Sequence, residues 1–403
     1  MSEPRSSRIR AIFLNLALLL VGLIAAVGML EILLRLHNPF QSRIKGNRIV
    51  LVTNKQYHIR NNIIPSLEPV VTVTRNSLGF RGPNPPPNLA EDLSIITIGG
   101  STTQCFFLSD DKTWTARLAA LLQPSVSKLW VNNAGLDGHS TFGHLVLLED
   151  HVKNIHPKVA IFLIGANDIA RDPNVEFDAE NVKSTISFAS PTAFVKSLSP
   201  YSEVAALIAN LYRSANAYRQ GLMHQKIDLK EQGDYDALPE TQRQYLSETT
   251  ADRYMRGFEE RVRQLVAVSK ANGIQPVLVT QPLLAGGGID DVTGVDLSRV
   301  RVNPIANGKM WWASMEAYND VTRRVGRENG VVVVDLGREL PKSSRMFYDF
   351  IHFSAEGAQQ VANIIYTDLC PALATQYPGY FSSPACPAVP TARQAEAPVA
   401  PVR

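Results

Sequence analysis

The stretch Ile96-Thr97-Ile98-Gly99-Gly100-Ser101-Thr102 decides the fold of this chain. It closes an apolar, β-branched run, Leu93 to Ile98, with two glycines and then a hydroxyl. A short run of this kind reads as a buried strand. Glycines at its end permit the tight turn that presents a side chain beyond the sheet. An α/β enzyme offers a nucleophile in this way after its first strand. The same turn suits phosphate binding, or a serine that caps the next helix, so the neighbouring segments carry the decision.

Downstream, strand and helix signals alternate. Strands are expected at Leu93–Ile98, Leu129–Asn132, Val159–Ile164, Pro276–Thr280 and Val331–Leu336. Helices are expected at Thr113–Leu122, Phe142–Asn154, Thr250–Asn272, Lys309–Glu328 and Ala355–Leu369, the last capped by Ser354. Short, continuously apolar strands separated by helices imply an α/β domain: a five-stranded parallel sheet covered on both faces. Its ligand site lies beyond the carboxyl ends of the strands. Residues 172–250 interrupt the rhythm as a helical insertion, with a helix at Ser202–Leu222 and a charged stretch from Lys226 to Glu248. Residues 283–308, with Gly286-Gly287-Gly288, read as a long flexible loop.

Upstream lies a different kind of segment. A basic head, residues 1–10, carries Arg5, Arg8 and Arg10. Ala11 to Leu30 then runs without a charge, with Asn15 its one polar side chain. Residues 11–36 read as a transmembrane anchor, since twenty such residues span roughly 30 Å of hydrocarbon. Ala26-Val27-Gly28 has the small-x-small form of a cleavage site, but the apolar stretch outruns a signal-peptide core. Arginines precede the span, and Arg35, Arg43, Lys45 and Arg48 follow it, so the positive-inside rule does not orient it. A short head and a tail of about 360 residues fit export of the tail. Residues 37–91 read as a juxtamembrane linker with one or two short strands and a turn-rich element, Asn76 to Gly82. Asn84-Pro85-Pro86-Pro87-Asn88 then forbids regular structure. The domain proper covers 92–370. Residues 371–403 form an extension, Ala/Pro-rich and disordered from about 387.

Composition narrows the class. Apolar residues are 45 % and charged residues 19 %, enough for a real core. A net charge of +3 argues against a nucleic-acid partner, which needs a concentrated basic face. Cys370 and Cys386 pair if the domain is exported, leaving Cys105 over; two unpaired structural cysteines are the alternative. No Cys/His cluster has zinc spacing, and no metal or cofactor is expected. His139, His144, His151 and His156 have the spacing of an exposed helix face.

Three further segments fit the opening one. Asn132 to Ser140 follows the second strand, Ile164-Gly165-Ala166-Asn167-Asp168 the third, and Asp349-Phe350-Ile351-His352 precedes the last helix. Together they resemble the SGNH/GDSL hydrolase superfamily. Ser101 matches its block I serine, Gly138 its block II glycine and Asn167 the asparagine of its Gly-x-Asn-Asp. Asp349 and His352 match its Asp-x-x-His. The resemblance covers roughly residues 92 to 370. It implies a three-layer, flavodoxin-like fold, with a triad of Ser101, Asp349 and His352. The oxyanion hole would come from the Ser101 and Gly138 backbone N–H groups and the Asn167 amide. One departure stands out: the family's usual Gly-Asp-Ser is Gly99-Gly100-Ser101 here.

A serine hydroxyl needs an adjacent base to become a nucleophile, and histidine has the pKa to supply one. The resemblance implies a serine esterase acting on small acyl esters, O-acetyl groups on a surface polysaccharide or other glycan above all. A glycan O-acetyltransferase would use the same triad. A silent glycan-binding or assembly protein is the non-enzymatic rival, with Gly100 its one support. Asp168 reads as a brace for its loop and Asp137 as a turn residue. Trp311 and Trp312 suit core packing or stacking on a sugar. Phe80 and Arg81 resemble an element seen upstream of block I in membrane-anchored bacterial members and read as a brace.

Overall fold

A computed structural model of the chain describes residues 5–37, 44–45, 48–171, 186, 190–219, 224–382 and 386–389. In chain order, the elements begin with a long helix, α1 (Arg5–Leu36), then the two-residue strands β1 (Ile44–Lys45) and β2 (Arg48–Ile49). A hairpin follows, β3 (Lys55–Arg60) and β4 (Val70–Arg75). The first half of the domain holds β5 (Leu93–Gly99), α2 (Ser101–Gln104), α3 (Trp114–Leu122), β6 (Leu129–Asn133), α4 (Thr141–Leu147), α5 (Lys153–Ile155) and β7 (Val159–Leu163). Four helices come next: α6 (Pro191–Leu198), α7 (Glu203–Arg219), α8 (Pro239–Thr249) and α9 (Asp252–Ala271). The chain closes with β8 (Gln275–Val279), β9 (Arg301–Asn303), β10 (Ala306–Asn307), α10 (Gly308–Glu328), β11 (Val332–Val334), α11 (Leu336–Glu339) and α12 (Ala355–Gln376).

The chain divides into two units. The first holds residues 1–52 and 177–222, the second residues 53–176 and 223–403. In the first, α1 carries an apolar stretch, Ile12–Leu36, long enough to cross a membrane and exposed from Ile12 to Leu30. Its far end packs against α7.

The second unit is built on one five-stranded sheet of order β6-β5-β7-β8-β11, with every pair parallel. Side chains alternate across a strand. Ile95, Val131, Ile161 and Val277 therefore share a core with Leu118, Leu122, Ile365 and Leu369 of α3 and α12. Ile96, Ile98, Phe162 and Leu278 are equally buried on the opposite face, which α4, α9 and α10 cover. The expected parallel sheet covered on both sides is present. Because β5 lies between β6 and β7, chain order reverses at its carboxyl end, the place where open α/β sheets bind ligands.

Several local expectations change. The helix expected at 142–154 is broken by a π-helical turn over Leu148–Val152, between α4 and α5. Residues 283–308 are not a flexible loop. Leu283, Leu284, Ala285, Leu297 and Val300 enter the core, and the Asp290 carboxylate accepts from the Thr293 and Ser344 backbone N–H groups and hydroxyls. The charged stretch 226–248 contains α8. That helix opens with proline, which suits the first turn, but it buries only Thr249 and so has no apolar stripe to read. The last helix continues past Leu369 to Gln376, with the Ser354 hydroxyl accepting from Gly357 N–H. Cys370 and Cys386 form a disulfide, with Cα atoms 6.0 Å apart, and Cys105 is free and buried. The disorder expected from about 387 and the opening of the insertion, 172–185, fall largely outside the described residues.

Candidate active site

Each of the motif loops leaves the carboxyl end of a strand or precedes the last helix. Gly100 is the N-cap of α2 and Ser101 its first residue, so Ser101 is not a capping side chain. Its Oγ lies 2.8 Å from His352 Nε2, and His352 Nδ1 lies 2.6 Å from Asp349 Oδ2. The other Asp349 oxygen accepts the backbone N–H groups of Ile351 at 2.8 Å and His352 at 2.7 Å. This local turn is why three residues of separation suffice to bring the two side chains together. An ionised carboxylate only accepts hydrogen bonds, so the imidazole proton sits on Nδ1 and Nε2 is open to the serine hydroxyl. All three side chains are buried; Ser101 is 8 % exposed.

The electrostatics follow from that packing. Burial works against a charged His352, but the Asp349 carboxylate and, further off, Asp137 outweigh it. The imidazole pKa stands above its ordinary 6.5. Burial likewise pushes the Asp349 carboxyl up, yet His352 and two backbone N–H groups bring it below the usual carboxylate range.

Asn167 lies beside the Gly100–Ser101 turn, its Nδ2 donating to the His139 carbonyl at 3.0 Å. Gly138 takes φ +72°, a conformation that favours glycine, while a Cβ there would meet open space. Gly100 is glycine for a different reason. A Cβ on it would come within 2.6 Å of Asn167 Nδ2 and 3.0 Å of the His139 carbonyl. The missing aspartate is thus tied to how closely Asn167 approaches the turn. Ser101 N–H is one of the donors that a helix N-terminus leaves without an intrahelical acceptor.

The turn is held from outside by Arg81, whose side chain is 2 % exposed. Its Nη1 donates to the carbonyls of Gln104 at 2.6 Å and Cys105 at 3.0 Å, its Nη2 to Leu108 at 2.7 Å, and its Nε to Asp110 at 2.8 Å. Asn133, bridged to Arg81 through paired backbone bonds, donates to the Thr103 carbonyl at 2.6 Å. These contacts hold the carboxyl end of α2, a helix too short to stand alone. Asp168 braces its loop by accepting from Thr141 N–H at 3.1 Å, from the Thr141 hydroxyl and from Arg261.

His224 has no motif to announce it. It comes from the insertion, and its ring lies over that of His352 with centroids 4.1 Å apart. Tyr348 Oη bonds its Nδ1 at 2.7 Å. Phe106 and Phe107 flank it, so aromatic rings wall the histidine side of the site. Asp137, expected as a turn residue, faces His224 Nε2 at 3.5 Å. Among the described residues, His224, Asp349 and His352 are the group whose ligand atoms converge, within 4.8 Å of one another. Asp349 and His352 are already committed to each other and to Ser101, so a metal would have to break those bonds.

The four-histidine cluster is not an exposed face. His139 and His144 are buried, and burial takes the His144 pKa down to about 4, so it is neutral behind the Gly99–Ser101 turn. Trp311 packs edge-on against Phe350 and the core. Trp312 lies against Gly286, and the Lys342 ammonium sits 3.2 Å from its ring centroid.

Residues 97–360 match the model of the GDSL-like lipase/acylhydrolase family. No curated protein sequence matches the chain significantly. Among solved structures, an α/β hydrolase from the metagenome of Lake Arreo, Spain, is 17 % identical over 69 % of this chain and 95 % of its own, with a TM-score of 0.39. An acetylxylan esterase from Geobacillus stearothermophilus is 17 % identical over 68 % and 93 %, with a TM-score of 0.37. At that similarity neither adds to what this chain's own residues say. The motif blocks, the sheet that carries them and the family match over residues 97–360 agree: this chain belongs to the GDSL-like lipase/acylhydrolase family, the SGNH serine hydrolases that act on ester bonds.

Proposed function

We propose that this protein is a membrane-anchored serine esterase that removes small acyl groups, O-acetyl first among them, from a glycan through an acyl-enzyme. The observation that carries the proposal is the unbroken hydrogen-bonded path from Ser101 Oγ through His352 to Asp349. His352 Nε2 takes the hydroxyl proton as Oγ bonds to the ester carbonyl carbon. The carbonyl oxygen becomes an oxyanion and accepts from the Ser101 and Gly138 N–H groups and the Asn167 amide. As the intermediate collapses, the C–O bond to the sugar breaks and its oxygen takes the proton from His352. Water then repeats the sequence on the acyl-serine, returning carboxylic acid and free enzyme. Asp349 holds the Nδ1 proton in place and stabilises the transient imidazolium.

A small acyl group suits a nucleophile this buried, with Phe106, Phe107, His224 and Tyr348 closing around the base. The glycan is carried over from the family resemblance. The disulfide between Cys370 and Cys386 supports an exported domain, since such bonds persist in oxidising compartments. The anchor reading rests on the length and apolarity of α1.

The test is an acyl-ester panel on full-length protein, with acetate release measured against acetyl transfer to an added glycan. We expect short acyl esters to be turned over and the acetyl group to end in water. Transfer to the glycan at saturating acceptor would make the protein an acetyltransferase. Failure of a fluorophosphonate to label Ser101 would remove the serine mechanism.

Gly100→Asp tests the departure in block I. Restoring the family's aspartate forces Asn167 away from the turn, and loss of an oxyanion donor costs about 10²–10³ in turnover. We expect a kcat lower by at least about 10², with KM little changed. A fully active variant would show that Asn167 does not act as a donor.

A further inference from the structure

Within the first unit, α7 is inside out. Its small residues Ala205, Ala206 and Ala209 are buried. Its large apolar ones are exposed: Ile208 at 48 %, Leu211 at 59 % and Tyr212 at 46 %. Positions 208, 211 and 212 have the i, i+3, i+4 spacing of a single helix face. A helix in water turns such a face inward.

The start of α7 is fastened to the end of α1. Glu31 accepts from the Ser202 hydroxyl at 2.8 Å and from the Glu203 and Val204 N–H groups at 3.1 Å each. Arg35 bonds Glu31 at 2.7 Å and the Tyr201 carbonyl at 2.7 Å. A carboxylate within an apolar span is costly unless partnered, and here the partner is the N-terminus of a helix, whose dipole favours an anion. Leu34 is buried beside this junction. The apolar stretch Ile12–Leu36 is 25 residues long. At 1.5 Å per residue it reaches roughly 37 Å, beyond a hydrocarbon core of roughly 30 Å. Counted from Ile12, Glu31 lies roughly 29 Å along the helix, so the junction where Glu31 meets α7 falls at the membrane–water boundary.

We propose that α7 lies in that boundary, with the Ile208, Leu211 and Tyr212 face in lipid. The bilayer is the occupant because α7 is fastened to α1 at the depth where α1 leaves the hydrocarbon. Tyrosine is a favoured residue at that depth, and a helix with one apolar face is stable lying there. The proposal rests on α1 spanning the membrane. With it, the anchor becomes a two-helix mount.

The test uses full-length protein in phosphatidylethanolamine/phosphatidylglycerol vesicles. Single cysteines at Leu20→Cys, Ile208→Cys, Leu211→Cys and, as a control outside the first unit, Asp236→Cys carry an environment-sensitive fluorophore. All four sites are exposed, so the fold tolerates the change. Cys105 is buried and the other two native cysteines are bonded. Lipids with a shallow or a deep spin label act as quenchers. We expect shallow-label lipid to quench positions 208 and 211 by about twofold or more, deep-label lipid to quench position 20, and neither to quench position 236. Quenching at 20 without quenching at 208 and 211 would overturn the proposal and leave the anchor standing. A blue shift at 208 and 211 without quenching would show that protein covers the face, and would also overturn it. No quenching at 20 would fell the anchor and the proposal with it.

Discussion

Ser101→Ala is expected to lower ester turnover by about 10⁶-fold, the scale on which loss of a triad nucleophile acts. On the proposed mechanism the oxyanion donors and His352 persist, but no oxygen is held 2.8 Å from the base. The side-chain hydrogen bond that disappears is the one to His352 Nε2, and alanine suits the start of a helix, so the fold should hold. Turnover of a short acyl ester and the melting temperature, measured together, check this. Wild-type stability with activity at the noise floor is the expected pair. Activity within about tenfold of wild type would move the reaction to another group, for by rate theory that is only about 1.4 kcal/mol of barrier.

Asp349→Asn is expected to cost about 10⁴ in turnover with the geometry nearly intact. The amide can donate to Nδ1, which moves the imidazole proton to Nε2, where it blocks acceptance from Ser101. The pH profile separates this from simple damage. In the wild type, carboxylate outweighs burial and the His352 pKa lies above 6.5. On the proposed mechanism His352 must be neutral to take the proton, so kcat/KM is expected to be low in acid and to rise as pH climbs through that raised value. Without the carboxylate, burial dominates and favours the neutral ring. The acid limb should shift to lower pH while the plateau falls. A limb that stays where it was would mean that another group sets it.

Much of this was legible in the sequence because the chemistry is local. The five strands are short apolar runs, and Asp349 and His352 meet through one turn, which three-residue spacing encodes. Ser101, Gly138 and Asn167 each follow a strand, so a parallel sheet was enough to gather them at one edge. What the sequence left hidden depends on contacts between distant segments. His224 packs its ring, tilted, against His352 across a large gap in the chain, and nothing in its neighbours marks it. Gly100 looked like ordinary turn chemistry until the close approach of Asn167 gave it a steric reason. The stretch 283–308 looked loose because its glycines are visible and the burial of Leu284 and Leu297 is not. The polar helix α8 escaped because it presents no apolar stripe. His144 read as a surface residue because helical spacing does not say which face is covered.

Arg81 carries a lesson for anyone trimming this enzyme. The family match starts at residue 97 and the sheet at Leu93, which invites a truncation at that border. Such a cut would discard the guanidinium that satisfies the Gln104, Cys105 and Leu108 carbonyls. The functional boundary therefore lies upstream of the apparent one. A version without α1 should begin near Thr53, where the second unit begins, so that hairpin and clamp travel with the α2 turn they hold.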